Sequence, residues 1–310
     1  MKNINKYQPT TIIINNMAAL MMASDIQDSH TVSIETAIEQ LSKGQDYVCK
    51  GTGIDAQTGE PFEWAMLNDG HGTNTCINFI RSIRMEKKSE LIGAAEPIQE
   101  IAKYIDNSRV IFPSDSTGAT VVIVRYYKDR IECFNSGDSQ FMVFKNNELF
   151  HISKEHNSSN LEERKRVIAK GCLFVPSTSI KMLSETEIAS AATEYMVFPT
   201  DTRKLAPTQA LGHNSRTGYL PEKLVIPLEE GMSYRVVMGS DGMFDMTMLE
   251  NPDDVEYLKT RTCNEILNKA VGRWLQEWSG HMGDGIIQKF KWLRQHCDDV
   301  SVVVVDVLPK

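Results

Sequence analysis

Residues 118–152 read GATVVIVRYYKDRIECFNSGDSQFMVFKNNELFHI. Four β-rich segments, GATVVIVRYY, RIECFNS, SQFMVFK and ELFHI, are parted by short polar breaks. Asn146-Asn147 is one break, and asparagine tolerates the left-handed backbone that a two-residue hairpin needs. Runs this short with turns this tight predict a meander, hence an antiparallel sheet. FEWAML (62–67), SYRVVMGSDG (233–242) and DDVSVVVVDV (298–307) add strands, the last apolar enough to be covered on both faces. Helical spacing appears in TCINFIRSI (75–83) and ELIGAAEPIQEIAKYI (90–105), where Pro97 breaks the run. NLEERKRVIAKG (160–171) predicts a helix closed at Gly171. TCNEILNKAVGRWLQEW (262–278) and GIIQKFKWLRQH (285–296) predict two more. Strands and helices come in blocks without βαβ alternation, which predicts an α+β class with sheets packed under helices. The boundaries expected are a loosely specified extension over 1–30 and one domain over 31–310.

Composition narrows the function. A net charge of −8 disfavours a nucleic-acid surface. The six cysteines are scattered without a CxxC pair, so they read as reduced thiols of an intracellular, cytoplasmic protein. TIIINNMAALMMA (11–23) is too short and too interrupted to cross a bilayer, so no membrane association is expected. A monomer is expected.

Acids recur at the edges of the predicted strands: Asp46, Asp69, Asp138, Asp241 and Asp298. Each alone reads as a turn former, and NDGHG (68–72) alone reads as a turn. If several converge, their repulsion calls for cations. Mg²⁺ or Mn²⁺ suits oxygen ligands, and two such ions can activate water against a phosphoryl group. Gly70 allows close approach, and His71 beside it is fit for proton transfer.

QDYV, NDGHG, STGATVVIV, NSGDSQFMVF, EERKRVIAKGC, LAPTQALGH, MGSDGMFDM and CDDVSVVVVDV follow one another over roughly residues 43–308. In that order they resemble the type-2C, metal-dependent Ser/Thr protein phosphatases. The resemblance implies an αββα sandwich of two antiparallel sheets flanked by helices, with two and in some cases three Mg²⁺ or Mn²⁺ ions in a cleft at one end. It implies that Asp69 bridges two ions, that the Gly70 carbonyl, Asp241 and Asp298 complete the first site, and that Asp46 holds water at the second. Asp138 matches the acid of a weaker third site, and His71 the acid that protonates the leaving oxygen. The reaction implied is hydrolysis of a phosphoprotein's phosphomonoester by a hydroxide bridging the metals. Asp299 stands where the family usually has Asn and ranks below Asp298.

Three positions depart from the pattern. Leu41 replaces an arginine that grips the phosphate, leaving Lys43 as the nearby cation and expected substrate contact, and an ammonium is no one-for-one substitute. Gln45 stands where a Glu is common. QALGH replaces RALGD, with Gln209 for Arg and His213 for Asp, and His213 is expected at the surface. The first and third of these departures favour an alternative: a weak or inactive pseudophosphatase that serves as a binding or regulatory module. His156 is expected to be a hydrogen-bonded loop residue, Trp274, Trp278 and Trp292 to cover the core from helices, and RSIRMEKK (81–88) to be a solvated helix face.

Overall fold

The computed structural model describes residues 30–108, 117–199, 203–281 and 286–310. The proposed extension, apart from its final residue, lies outside them. DDVSVVVVDV shows how the layers arise. In strand Val300–Pro309, Val303, Val305 and Val307 point to one side, and Val300, Val302 and Val304 to the other. This strand pairs antiparallel with His30–Glu39 on one edge and Tyr234–Gly239 on the other. Gln140–Lys145 and Glu148–Ile152 complete a five-stranded sheet. The Asn146 and Asn147 turn between those two has φ of 49° and 64°, the expected left-handed hairpin.

A seven-stranded sheet lies opposite, built around Pro61–Gly72, Val121–Tyr126, Arg130–Ser136 and Glu222–Pro227, with Asp46–Ile54, Thr117–Ala119 and Leu211–Gly212. Ala65, Leu67, Val122, Val124 and Ile131 of this sheet meet Phe141, Val143, Val236, Met238, Val303 and Val305 of the first. The outer face of the seven-stranded sheet, through Trp64, Met66, Val121 and Ile123, is covered by helices Thr75–Ser82, Met85–Ile92 and Pro97–Asn107. Pro97 starts the third of these helices, where its missing N–H is harmless. Helices Asp241–Phe244, Pro252–Thr260 and Cys263–Leu275 cover the other sheet through Met243, Leu258, Ile266 and Trp274. Period-two alternation on two facing sheets thus yields the expected αββα order.

A third sheet was not legible in the sequence. Leu173–Met182 pairs antiparallel with Glu187–Val197, which also pairs antiparallel with Lys204–Leu205. Glu187–Ala189 pairs in parallel with Ser279–His281. The helix predicted over 285–296 is instead strand Ile287–Lys291, paired with Glu277–His281, followed by a short turn. Trp278 therefore lies on a strand and Trp292 after one, and Trp292 packs against both Trp274 and Trp278, at ring distances of 5.3 Å and 6.4 Å. Their aromatic contacts hold this strand pair against the last helix, and those contacts outweigh the helical spacing of a segment rich in exposed side chains. All six cysteines are free. No helix among the described residues is long and apolar enough to cross a membrane.

Candidate metal and phosphate site

NDGHG is not a turn. Strand Pro61–Gly72 runs through it, because two neighbouring strands, Asp46–Ile54 and Thr117–Ala119, pair with its backbone there. Asp69 lies directly across from Asp46 in the pairing register. The Asp69 amide donates to Thr120 Oγ1 (3.2 Å), and its carbonyl accepts from the Thr120 amide (2.8 Å). The Gly70 amide donates to the Gln45 carbonyl at 3.0 Å, and a Cβ at Gly70 would meet that same oxygen at 2.9 Å. Glycine is required by that approach.

The other acids arrive on separate elements. Asp241 begins the short helix after strand Tyr234–Gly239, and Trp274 braces that turn by donating its indole N–H to the Gly242 carbonyl at 2.7 Å. Asp138 follows Gly137, whose φ is +120°, at the bend between two strands. The buried His156 locks this bend, its amide donating to the Gly137 carbonyl at 2.8 Å and its Nδ1 accepting from the Gly137 amide at 3.2 Å. That is the loop role expected of it. Asp299 is also buried, and it accepts from the amides of Ser42 (3.0 Å), Lys43 (3.2 Å) and Gln45 (2.7 Å). It shapes the loop before Asp46, while Asp298 faces the acids. Arg81 does not lie on a solvated face: it donates to the carbonyls of Gly44 and Asp46, each at 2.8 Å. Lys88 is likewise buried, donating to the Ile83 carbonyl at 2.6 Å.

The electrostatics show convergence on Asp241. Burial and then the Asp241 charge push Asp69 and Asp138 well above the usual carboxylate range. The same causes raise Asp298 to about 6, with Lys43 opposing. Burial, Asp241 and Asp299 raise Asp46 to about 7. The Ser301 and Ser240 hydroxyls temper that rise, yet neither makes a well-formed hydrogen bond to the carboxylate. Asp245 and Glu155 join the same field and are also raised, chiefly by burial. Sequence reasoning missed both. Asp245 had a signal, since it follows Asp241 by four residues, the spacing of one helix face. Glu155 had none.

Lys43 sits half-exposed at this cluster, its Nζ 2.9 Å from each oxygen of Asp298. Burial alone would lower its pKa, but Asp298 outweighs that and raises it. Leu41 is buried in the core among Ala37, Met243 and Trp274, far in character from a phosphate-gripping arginine. Gln209 is buried too. Its side chain accepts from the Leu220 amide at 2.7 Å and donates to the Leu220 carbonyl at 3.1 Å, closing a loop. His213 is not at the surface: it is 1% exposed, and its Nε2 lies 2.8 Å from His71 Nε2. Burial, His213 and Lys43 together push His71 down to about 3.

Oxygen-only donors suit a hard divalent cation. Both oxygens of Asp46 and Oδ1 of Asp241 are buried without a hydrogen-bond partner. Burying such charge is costly unless something pairs with it, and a cation does so. Among the described residues no three His, Cys, Asp or Glu side chains form a ready-made coordination shell. Mg²⁺-type sites characteristically take one or two carboxylates and fill the rest with water, so the residues present fit such ions.

Comparison with known proteins agrees with this architecture. No curated protein sequence matches the chain. A serine/threonine phosphatase from S. agalactiae is similar in structure, with a TM-score of 0.50 at 18% identity, over 89% of this chain and 98% of that one. A C. elegans sex-determining protein is similar with a TM-score of 0.51 at 17% identity, over 94% and 68%. At these identities the likeness shows the fold alone. The family model of protein phosphatase 2C matches residues 77–256, a span that holds Asp138 and Asp241 and begins after Asp46, Asp69 and His71. That span exceeds half of the 310 residues, and the chain belongs to the protein phosphatase 2C family.

Proposed function

We propose that the chain is an active, metal-dependent protein serine/threonine phosphatase acting on phosphoproteins. The observation that carries this reading is the set of buried, unpartnered oxygens on Asp46 and Asp241 within a field of like charges. Asp69, Asp241, Asp298 and the Gly70 carbonyl would hold one Mg²⁺ or Mn²⁺, Asp46 and Asp69 a second, and Asp138 a weaker third. The ions supply Lewis acidity, neutralising phosphoryl charge and making a water acidic enough to attack at neutral pH.

The chain's own groups bind the ester and manage the proton. Lys43 lies at the mouth of the acids on a flexible stem, where its ammonium can be shared between Asp298 and a phosphate oxygen. Water adds to phosphorus, the bond to the serine or threonine oxygen breaks, and that oxygen takes a proton from His71. His71 is neutral at pH 7. A phosphate dianion beside it opposes the effects of Lys43 and His213 and favours the protonated ring. The protonated ring is the form that can donate to the departing oxygen. Six unpaired cysteines support a reducing, cytoplasmic setting.

A pseudophosphatase is the second reading, favoured by the burial of Leu41 where the grip on phosphate is expected. Hydrolysis of a small aryl phosphate with and without Mn²⁺ separates the two. Activity should vanish with chelator and return with Mn²⁺, and Asp69→Asn should reduce kcat by about 10²-fold or more. A wild-type protein inert at saturating Mn²⁺ leaves the second reading standing.

A further inference from the structure

The strand Thr117–Ala119 is only three residues long and central to its end of the sheet. Gly118 lies across from His71 on one side and from Gly212 on the other. His213, next in the chain after Gly212, therefore reaches over Gly118 toward His71. A Cβ at Gly118 would stand 2.4 Å from His213 Nε2 and 2.6 Å from His71 Nε2, so only glycine leaves room for the two rings to meet. They meet at Nε2 to Nε2, 2.8 Å apart, with planes 19° from parallel.

Holding His213 there is expensive. His213, Asn214 and Ser215 have φ of 50°, 49° and 55°, three successive non-glycine residues in the left-handed region. Such strain persists only where the surroundings impose it, and it clusters at working sites. Phe198, its ring 6.4 Å away, shields His213 on another side. His71 makes no other hydrogen bond among the described residues, so its Nδ1 is the nitrogen left for chemistry.

We infer that His213 is a positioning residue: by taking His71 Nε2 it fixes the ring and makes Nδ1 the nitrogen that faces the departing oxygen. A contact between two Nε2 atoms needs one hydrogen between them. Of the two neutral arrangements this contact allows, the one that the positioning role requires has His213 Nε2–H donating to His71 Nε2, with His71 keeping its hydrogen on Nδ1. With His71 charged, its Nε2–H donates to His213 instead, and Nδ1 still carries a hydrogen. The inference rests on the phosphatase reading for its catalytic consequence, but the ring pairing itself does not.

Two measurements test it. The first is kinetic, on a phosphoserine peptide. His213→Ala should lower kcat by roughly 10–100-fold, the usual effect of losing a group that orients another, with KM changed less than about twofold. Gly118→Ala, which touches neither imidazole covalently, should do the same. His71→Ala with His213→Ala should be no slower than His71→Ala alone, since coupled groups are not additive. His213→Gln, whose amide reaches as far as Nε2, should recover most of the rate. The second is the ring ¹⁵N spectrum of His71. It should show hydrogen on Nδ1 as the dominant neutral form in the wild type and a mixture of tautomers in His213→Ala. Additive losses in the double variant, no recovery by Gln in a folded protein, or a His71 spectrum indifferent to His213→Ala overturns the inference. If the wild type hydrolyses no ester at all, the functional reading fails, and the ¹⁵N spectrum still decides the pairing.

Discussion

Leu41 shows how one side chain redirects an expectation. Placed where a phosphate-binding arginine is expected, it reads as a simple loss that Leu41→Arg could repair. Its burial with Ala37, Met243, Phe244 and Trp274 says otherwise. An arginine there would bring an unpaired charge into the core, so Leu41→Arg should destabilise by about 3–5 kcal/mol and leave KM no lower, as urea unfolding and steady-state kinetics would show. Asp55 is the opposite case, a carboxylate that is well served. Burial alone would raise its pKa, but the amides of Thr58 and Gln57 (2.9 Å each) and the Tyr127 hydroxyl (2.7 Å) outweigh that and lower it to about 2. A folded-state pKa below the unfolded value adds stability above about pH 4, lost as pH falls through about 2. Asp55→Asn should therefore cost about 1.5–3 kcal/mol at pH 7. The gap from wild type should narrow steadily from pH 5 toward pH 2.5 in denaturant titrations.

Among the elements, the turn from strand Tyr234–Gly239 into helix Asp241–Phe244 has the least slack. A Cβ on Gly242 would lie 2.1 Å from the Asp299 carbonyl oxygen and 3.2 Å from Asp298 Cβ. Backbone is what it meets, so the turn itself has to move, and Asp241 and Asp298 move with it. Gly242→Ala should cost about 1–3 kcal/mol, as overpacking does, and lower kcat by about 10²-fold at temperatures where the variant is folded, the scale of a 1 Å misplacement. A normal kcat together with reduced stability would show that the acids tolerate the shift. The strand pair Glu277–His281 and Ile287–Lys291 teaches a different lesson. Its second half has helical spacing, yet it is a strand because Trp292 packs edge-on to Phe290 and Trp274. Tertiary packing outweighs local propensity in an exposed segment.

At the scale of the molecule, the acid cluster opposes folding and a bound cation favours it. Asp46 and Asp241 bury oxygens that no donor satisfies. Removing one such charge should help the metal-free protein: Asp46→Asn should raise the Tm measured in chelator by about 2–4 °C for each kcal/mol relieved. Mn²⁺ at about 100 times its Kd should stabilise the wild type by about 2.7 kcal/mol, and Asp46→Asn should lose much of that increment. Scanning calorimetry with and without Mn²⁺ reads both. A variant less stable than wild type in chelator would mean that the Asp46 carboxylate has a structural partner.

Features that depend on neighbours along the chain were legible in the sequence. Alternating Val303 and Val304 encode a strand covered on both faces, Asn146-Asn147 encodes a hairpin, and Pro97 encodes a break in a helical run. The order of the acidic motifs pointed to the family, because the chemistry demands those residue types at strand ends. Which side chains meet was set by long-range packing. It turned NDGHG from a turn into a strand by supplying pairing partners from Thr117–Ala119 and Asp46–Ile54. It joined Glu187–Ala189 to Ser279–His281 across some ninety residues, placed Lys43 on Asp298, and carried His213 over a glycine to His71. Those contacts depend on register and on missing side chains between distant segments, and neither leaves a periodic mark in the local sequence.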